Sequence, residues 1–161
     1  MLKQRFVSLL LLCCAGLAAQ AADYPVKQIR LVVPFAAGGN TDIAARLLAT
    51  GLTAELKQAV YVENKAGAGT AVGTEDVARS PADGYTLLFT TVGLAVNPSL
   101  YKSLRYDAKR DFAPVAHVVS SSPVILMHPS IPVANLAEFI SYAKAKGPLS
   151  YGSAGVGKIG R

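Results

Sequence analysis

The chain has 161 residues, a hydrophobic content of 52% and a formal net charge of +6. Its basic residues are mixed with acidic ones and form no run with interleaved aromatics, which argues against nucleic-acid binding. Both cysteines lie within the first 14 residues, so the remainder can form no disulfide and no cysteine-ligated zinc site. Composition indicates a globular protein and leaves its chemistry open.

Residues 1–21 have the three parts of a cleavable secretory signal peptide: a basic start, a largely apolar run over Phe6–Leu17, and the small-x-small site Ala19–Ala21. The run is shorter than the roughly 20 residues that a membrane-spanning helix needs. Neither cysteine follows the small residue typical of a lipidation site. Cleavage after Ala21 or Ala22 removes two basic residues and no acid, so the net charge falls from +6 to +4. The pattern predicts a periplasmic protein.

The first elements of the mature chain are a strand and a helix. Ile29–Phe35 is a short apolar run typical of a buried strand, and Pro34 fits only at its end or at an irregularity. After Gly38-Gly39, Asn40 or Thr41 is a good N-cap. The predicted helix carries its apolar residues at helical spacing, namely Ile43, Ala44, Leu47, Leu48 and Leu52.

The alternation continues through two further strands. Ala59–Glu63 predicts the second strand, Thr70–Arg79 a helix of small residues, and Tyr85–Thr90 the third strand. Glycine-containing turns, Gly67–Gly69 and Pro81–Gly84, separate them. Strands that alternate with helices imply parallel pairing. The sequence therefore predicts an α/β fold with a parallel sheet.

The later part of the chain is less regular. A polar stretch follows Asn97-Pro98 up to Phe112, and Val115–Val119 and Val124–His128 then predict two more strands. Leu136–Lys146 predicts a helix, because Asn135 and Glu138 make a capping-box-like start and Gly147-Pro148 a stop. Leu149-Ser150 predicts the beginning of another strand.

Two candidate sites lie where predicted strands end. Pro34–Asp42 is a glycine-containing loop that leads into a helix N-terminus, where backbone N–H groups and the helix dipole favour a carboxylate or phosphate. Thr90-Thr91 offers two hydroxyls at the same edge. The loop lacks the dinucleotide-binding fingerprint. From these residues alone, an ordinary βα turn and β-branched strand filler remain open alternatives.

A third candidate is the glycine-rich segment Gly152–Lys158. It matches the P-loop pattern, but Ile159 stands where a magnesium-binding Ser or Thr belongs. Ser153 with His117 or His128 leaves a secreted hydrolase open, although the first glycine of the nucleophile elbow is missing. A ligand-binding or neutral loop fits better than either site.

Seven short motifs, in order and at matching spacing, resemble the substrate-binding proteins of tripartite tricarboxylate transporters, the Bug-type receptors. The resemblance covers most of the mature chain. The motifs are Tyr24-Pro25-x-Lys27-x-Ile29-Arg30, Val33-Pro34-Phe35 with Gly38-Gly39 and Asp42, Val62-Glu63-Asn64 with Gly67-Ala68-Gly69, Asp83-Gly84-Tyr85-Thr86-Leu87, Asn97-Pro98-x-Leu100-Tyr101, Asp111-Phe112-x-Pro114-Val115, and Tyr151-Gly152-Ser153-Ala154-Gly155.

The resemblance implies a two-lobed α/β fold of the periplasmic binding protein-like type II class. It implies a receptor, not an enzyme, that needs no cofactor or metal, holds a small organic anion, typically a carboxylate, and delivers it to membrane permease subunits. Carried over by position, the implied ligand-binding residues are Phe35, Gly38, Gly39, Asp42, Thr90, Thr91, Ser153 and Gly155.

Length is where the chain departs from that family, whose members are much longer. Residues 22–122 would form an incomplete first lobe, and residues 123–161 the truncated beginning of a second. We therefore predict a truncated receptor, monomeric if complete. The alternatives are the secreted hydrolase and a fragment that has lost ligand binding.

Overall fold

The computed structural model describes residues 23–122 and 124–152. The predicted signal peptide, Ser153 and Gly155 lie outside the described residues. Within those ranges, no helix combines the length and the hydropathy that crossing a bilayer requires.

In the part of the chain that the structure describes, a three-stranded parallel sheet forms the centre of the fold. Its strands are β1 (Ile29–Val33), β2 (Val60–Asn64) and β3 (Thr86–Leu88), in the spatial order β2-β1-β3. In the register, Leu31 of β1 lies opposite Val62 on one side and Leu87 on the other. The prediction of an α/β fold with a parallel sheet is confirmed.

Within the described residues, four α-helices accompany the sheet: α1 (Asn40–Leu56), α2 (Ala71–Ala78), α3 (Gly93–Leu100) and α4 (Leu136–Lys146). A 3₁₀ turn, Ala68–Thr70, precedes α2. Successive side chains of a strand point to opposite faces. Leu31 accordingly packs in a core cluster with Ala45 of α1, whereas Arg30 forms an ion pair with Asp76 of α2 at 2.9 Å. Helices therefore cover both faces of the sheet.

The beginning of the described chain is tied to the turn before β3. The Tyr24 hydroxyl donates a hydrogen bond to the carbonyl of Gly84 at 2.7 Å, and the Tyr24 and Tyr85 rings meet edge to face. Lys27 forms an ion pair with Asp83 at 3.1 Å and lies over the Tyr85 ring. Two motifs far apart in sequence thus form one contact.

Several element bounds differ from the sequence-based prediction. β1 ends at Val33 instead of Phe35, because Pro34 has no N–H to continue the ladder. β3 is limited to Thr86–Leu88, although the Phe89 N–H still donates to the Val32 carbonyl. Helix α1 is capped by Gly39, with no side-chain cap, and not by Asn40 or Thr41.

Helix α3 is an element that the sequence did not predict, and it lies mostly before the polar stretch that follows Pro98. It has only eight residues and includes Pro98, which cannot donate the helical hydrogen bond. A helix this short shows too little periodicity to be recognised from its pattern. The fully buried side chain of Asn97 instead connects it to the preceding turn.

The predicted strands over residues 115–119, 124–128 and 149–150 are wrong, because the described residues there form no strand. A strand requires a partner for its backbone groups, and no described segment provides one. Their apolar side chains remain in solvent: Val115 is 86% and Leu126 87% exposed. The predicted helix Leu136–Lys146 is confirmed, and its Asn135 side chain accepts a hydrogen bond from the Glu138 N–H at 3.0 Å.

Candidate ligand-binding edge

The loops that follow β1 and β3 lie beside each other, because these strands are parallel neighbours. We call residues 34–39 the glycine loop and residues 89–92 the threonine loop. The glycine loop leads into the N-terminus of α1 and the threonine loop into that of α3. Each helix N-terminus has N–H groups without a helical partner and the positive end of the helix dipole. These N–H groups and dipole ends can attract an anion to the edge, so the attraction does not require an unpaired basic side chain.

The glycine loop presents its backbone to solvent. Gly38 and Gly39 are exposed, and Gly38 has φ +83°. A Cβ added at Gly38 would meet no atom within 4 Å, so the positive φ, and not crowding, favours glycine there. Phe35 is partly buried against the core cluster. The loop combines an anchored aromatic residue with an accessible backbone.

Asp42 holds the glycine loop in place. Its Oδ2 accepts hydrogen bonds from Arg46 Nε at 2.9 Å and from the Gly38 N–H at 2.8 Å, and its Oδ1 accepts one from Asn64 Nδ2 at 2.9 Å. The Arg46 hydrogen bond, followed by those from Gly38 and Asn64, lowers the pKa of Asp42 to about 2. The side chain is only 2% exposed. This geometry favours a positioning role over the ligand contact that the resemblance implies.

Asn64 is a further residue of this edge, and it was absent from the candidates drawn from the sequence. Its Nδ2 donates to the Phe35 carbonyl at 3.1 Å as well as to Asp42, and its Oδ1 accepts from Arg46 at 3.1 Å. A polar residue at the carboxyl end of an apolar strand was the available signal. Asn64 connects the end of β2 to the glycine loop.

The two threonines of the threonine loop have different surroundings. Thr91 is exposed, whereas Thr90 is half-buried beside the core residue Phe89. The Thr90 Oγ1 atom is buried and has no hydrogen-bond partner among the described residues. A buried hydroxyl without a partner is uncommon in folded proteins. Thr90 therefore remains a candidate hydrogen-bond donor at this edge.

The remaining candidates do not join this group. Ser153 and Gly155 lie outside the described residues, so the second side of the expected cleft is not placed. His117 Nε2 lies 3.5 Å from Ser120 Oγ, and His128 Nδ1 lies 2.8 Å from Ser130 Oγ. Both pairs are local contacts in an exposed segment, and in the described chain neither histidine has a carboxylate hydrogen-bond partner.

Solved structures similar to this one are periplasmic binding proteins. The structure of the periplasmic binding protein BugD matches at 47% identity and a TM-score of 0.55, over 56% of this chain and 30% of that one. MatC from Rhodopseudomonas palustris, solved with bound malate, matches at 37% identity and a TM-score of 0.66, over 76% of this chain and 42% of that one. Another R. palustris protein, solved with adipate, matches at 33% identity and a TM-score of 0.62, over the same shares of the two chains. The α/β fold is that of a periplasmic binding protein.

The sequence identifies the family within that class. Residues 44–160 match the tripartite tricarboxylate transporter family receptor, TctC, and the chain belongs to this family. Among curated Bordetella pertussis relatives, a UPF0065 protein is 39% identical over 155 residues, and BugT is 42% identical over 136 residues. These alignments cover 95% and 82% of this chain but 48% and 42% of the relatives. The chain thus spans less than half the length of either.

Proposed function

We propose that this protein is a periplasmic receptor that captures a small carboxylate at the carboxyl edge of its sheet and delivers it to membrane permease subunits. The observation that carries the proposal is that two neighbouring parallel strands end in loops that each lead into a helix N-terminus, one of them with the unpartnered Thr90 hydroxyl. Family membership supports the transport role. The malate and adipate held by two similar structures support the ligand class.

The binding chemistry follows from the donors at this edge. Backbone N–H groups at the starts of α1 and α3 and the hydroxyls of Thr90 and Thr91 donate hydrogen bonds to carboxylate oxygens. Hydrogen bonds to an ionised acceptor are stronger than neutral ones. Asp42 and Asn64 support binding indirectly, because they fix the glycine loop that contacts the ligand. The loop containing Ser153 and Gly155 would approach from a second lobe, and release requires that the lobes reopen.

Calorimetric titration with malate, adipate, tricarboxylates and amino acids tests the proposal. We expect a carboxylate to bind. We expect Thr91→Val to raise the Kd of that carboxylate roughly tenfold, because a hydrogen bond to a charged group is lost. Thr50→Val is the matched control, since Thr50 is an exposed threonine further along α1. Absence of binding across the whole panel, or equal effects of the two variants, would contradict the proposed site.

We also propose that residues 1–21 direct export and are then removed. The charged start, apolar run and Ala19–Ala21 site support this proposal. N-terminal sequencing of the protein recovered from the periplasm should begin at Ala22 or Asp23. Recovery of periplasmic protein that still carries Met1 would rule out cleavage.

A further inference from the structure

The side chain of Asn97 is fully buried in α3 and reaches across to the turn before α2. Its Nδ2 donates hydrogen bonds to the Gly69 carbonyl and to Thr70 Oγ1, each at 3.0 Å, and lies 3.4 Å from the Tyr106 hydroxyl. A backbone carbonyl can only accept, so the amide nitrogen must face Gly69. The Oδ1 atom is left buried without a partner in the described chain. Asn97 thus donates hydrogen bonds to two acceptors of the turn, while its own acceptor atom stays unpaired.

The turn that Asn97 holds has an unfavourable backbone. Ala68, Gly69 and Thr70 follow one another with φ of 42°, 60° and 86°. A positive φ is uncommon for alanine and an outlier for a β-branched threonine. Such strain persists only where the surroundings impose it. Thr70 is 1% exposed, and its carbonyl also accepts a hydrogen bond from Thr74 Oγ1 at 2.9 Å.

The same turn is connected to the glycine loop through α2. Gly73 of α2 lies so close to that loop that an added Cβ would be 2.9 Å from the Pro34 Cβ and 2.8 Å from the Lys65 carbonyl oxygen. Pro34 is the first residue of the glycine loop. A continuous series of contacts therefore runs from the threonine loop and α3, through Asn97 and the strained turn, to α2 and the glycine loop.

We infer that Asn97 is a positioning residue that sets the separation between the threonine loop and the glycine loop, and thereby the fit of the ligand between them. The inference about ligand fit rests on the proposed function. Asn97 has no exposed surface, so it acts through the groups it holds. Because closely packed contacts transmit displacement, loss of its donors changes the geometry at Pro34 as well as at the turn.

Three variants of the full chain test the inference. Asn97→Asp keeps the side-chain shape but removes the amide donors. Thr70→Val keeps those donors and removes only one of their acceptors, the Thr70 hydroxyl. Val60→Ala is the control, because Val60 is a core residue at the amino end of β2, the opposite end from the site. Urea unfolding establishes the stability lost in each variant. Amide NMR resonances of Gly38, Gly39 and Thr91 are then recorded without ligand, and Kd values are measured with malate and adipate.

We expect Asn97→Asp and Thr70→Val to shift the Gly38 and Gly39 resonances, which Val60→Ala leaves in place. We expect Asn97→Asp to weaken carboxylate binding roughly tenfold, and Val60→Ala, which is distant from the site, to change it by less than about twofold. If the glycine-loop resonances move no more in the Asn97 and Thr70 variants than in Val60→Ala, the inference is wrong. If they move as expected but wild type binds no acid of the calorimetric panel described above, the linkage stands and the proposed ligand class fails. If wild type binds but Asn97→Asp binds equally well, the function stands and the positioning role fails.

Discussion

At the scale of single residues, two asparagines and one aspartate join the loops at the carboxyl edge of the sheet. Asn64 and Asp42 fix the glycine loop, and Asn97 fixes the turn before α2. Asn64 and Asp42 use both of their side-chain polar atoms in these contacts, and Asn97 uses its Nδ2. Since a backbone carbonyl or N–H that is left unpaired in a buried position costs free energy, these side chains stabilise loop conformations that the backbone would not keep unaided.

The low pKa of Asp42 predicts a pH-dependent contribution to stability. Because its folded-state pKa, about 2, lies below the ordinary 3.8, the ionised carboxylate stabilises the fold fully above that ordinary value. The contribution is lost as the pH falls through the folded-state value. We expect Asp42→Asn to lower the urea midpoint at pH 7, with a difference from wild type that shrinks between pH 4 and pH 2.

Urea unfolding over this pH range measures the effect. Glu55→Gln is the control, because Glu55 is an exposed acid on the same helix. A wild-type–variant difference that stays constant down to pH 2 would show that the charge of Asp42 is not the cause.

At the scale of elements, α2 is joined to the sheet by close packing and by charge. Arg30 of β1 pairs with Glu63 of β2 and with Asp76 of α2, each at 2.9 Å. Lys65 adds a second contact to Asp76 at 2.8 Å. These charges are partly buried and lie on the α2 face of β1. They define where α2 sits, and Gly73 allows it to approach the glycine loop.

Two helical glycines provide a matched test of that close approach. Gly73→Ala places a Cβ against backbone and Pro34 atoms, so we expect a loss of about 1–3 kcal/mol in the free energy of unfolding. In Gly51→Ala, in α1, the added Cβ meets nothing within 4 Å. This variant should raise the free energy of unfolding by about 0.5–1 kcal/mol. Chemical denaturation of both variants measures the difference. Equal effects would mean that α2 does not pack as closely as described.

At the scale of the whole molecule, regular structure and burial are concentrated before residue 113. Described residues beyond 112 are in no strand, and α4 has no buried residue. An apolar pocket of about 350 Å³ there is lined by residues including Ile125, Met127 and Phe139. None of the buried core residues lies in this part of the described chain.

This distribution predicts where a protease cuts first. Thermolysin cleaves before bulky apolar residues, and Val115, Ile125 and Leu126 are exposed in segments without helix or strand. Limited digestion followed by mass spectrometry should therefore give initial cuts between residues 113 and 128 and a resistant fragment that contains the sheet. Initial cleavage within β1, α1 or β2 would contradict this description.

The sequence alone determined the α/β class, the parallel sheet, the long helix α1 and the bounds of α4, because these depend on local periodicity and capping. Its motifs also predicted the family, which the comparisons confirm. The glycine and threonine loops could be proposed from strand ends, but their ligand contacts remain predictions. Asn64 and Asn97 were missed because the acceptors of most of their hydrogen bonds, on Phe35, Asp42, Gly69 and Thr70, lie 22 to 29 residues away.

Tertiary structure decided which residues of those patterns meet. It brought the Asp42 carboxylate into hydrogen bonds with Gly38, Arg46 and Asn64, whereas its predicted ligand contact stays a prediction. It also buried Asn97 within α3 and gave residues 115–119 no strand partner among the described residues. Local sequence encodes periodicity, but hydrogen-bond partners across the fold depend on how the elements pack, so only the folded chain defines them.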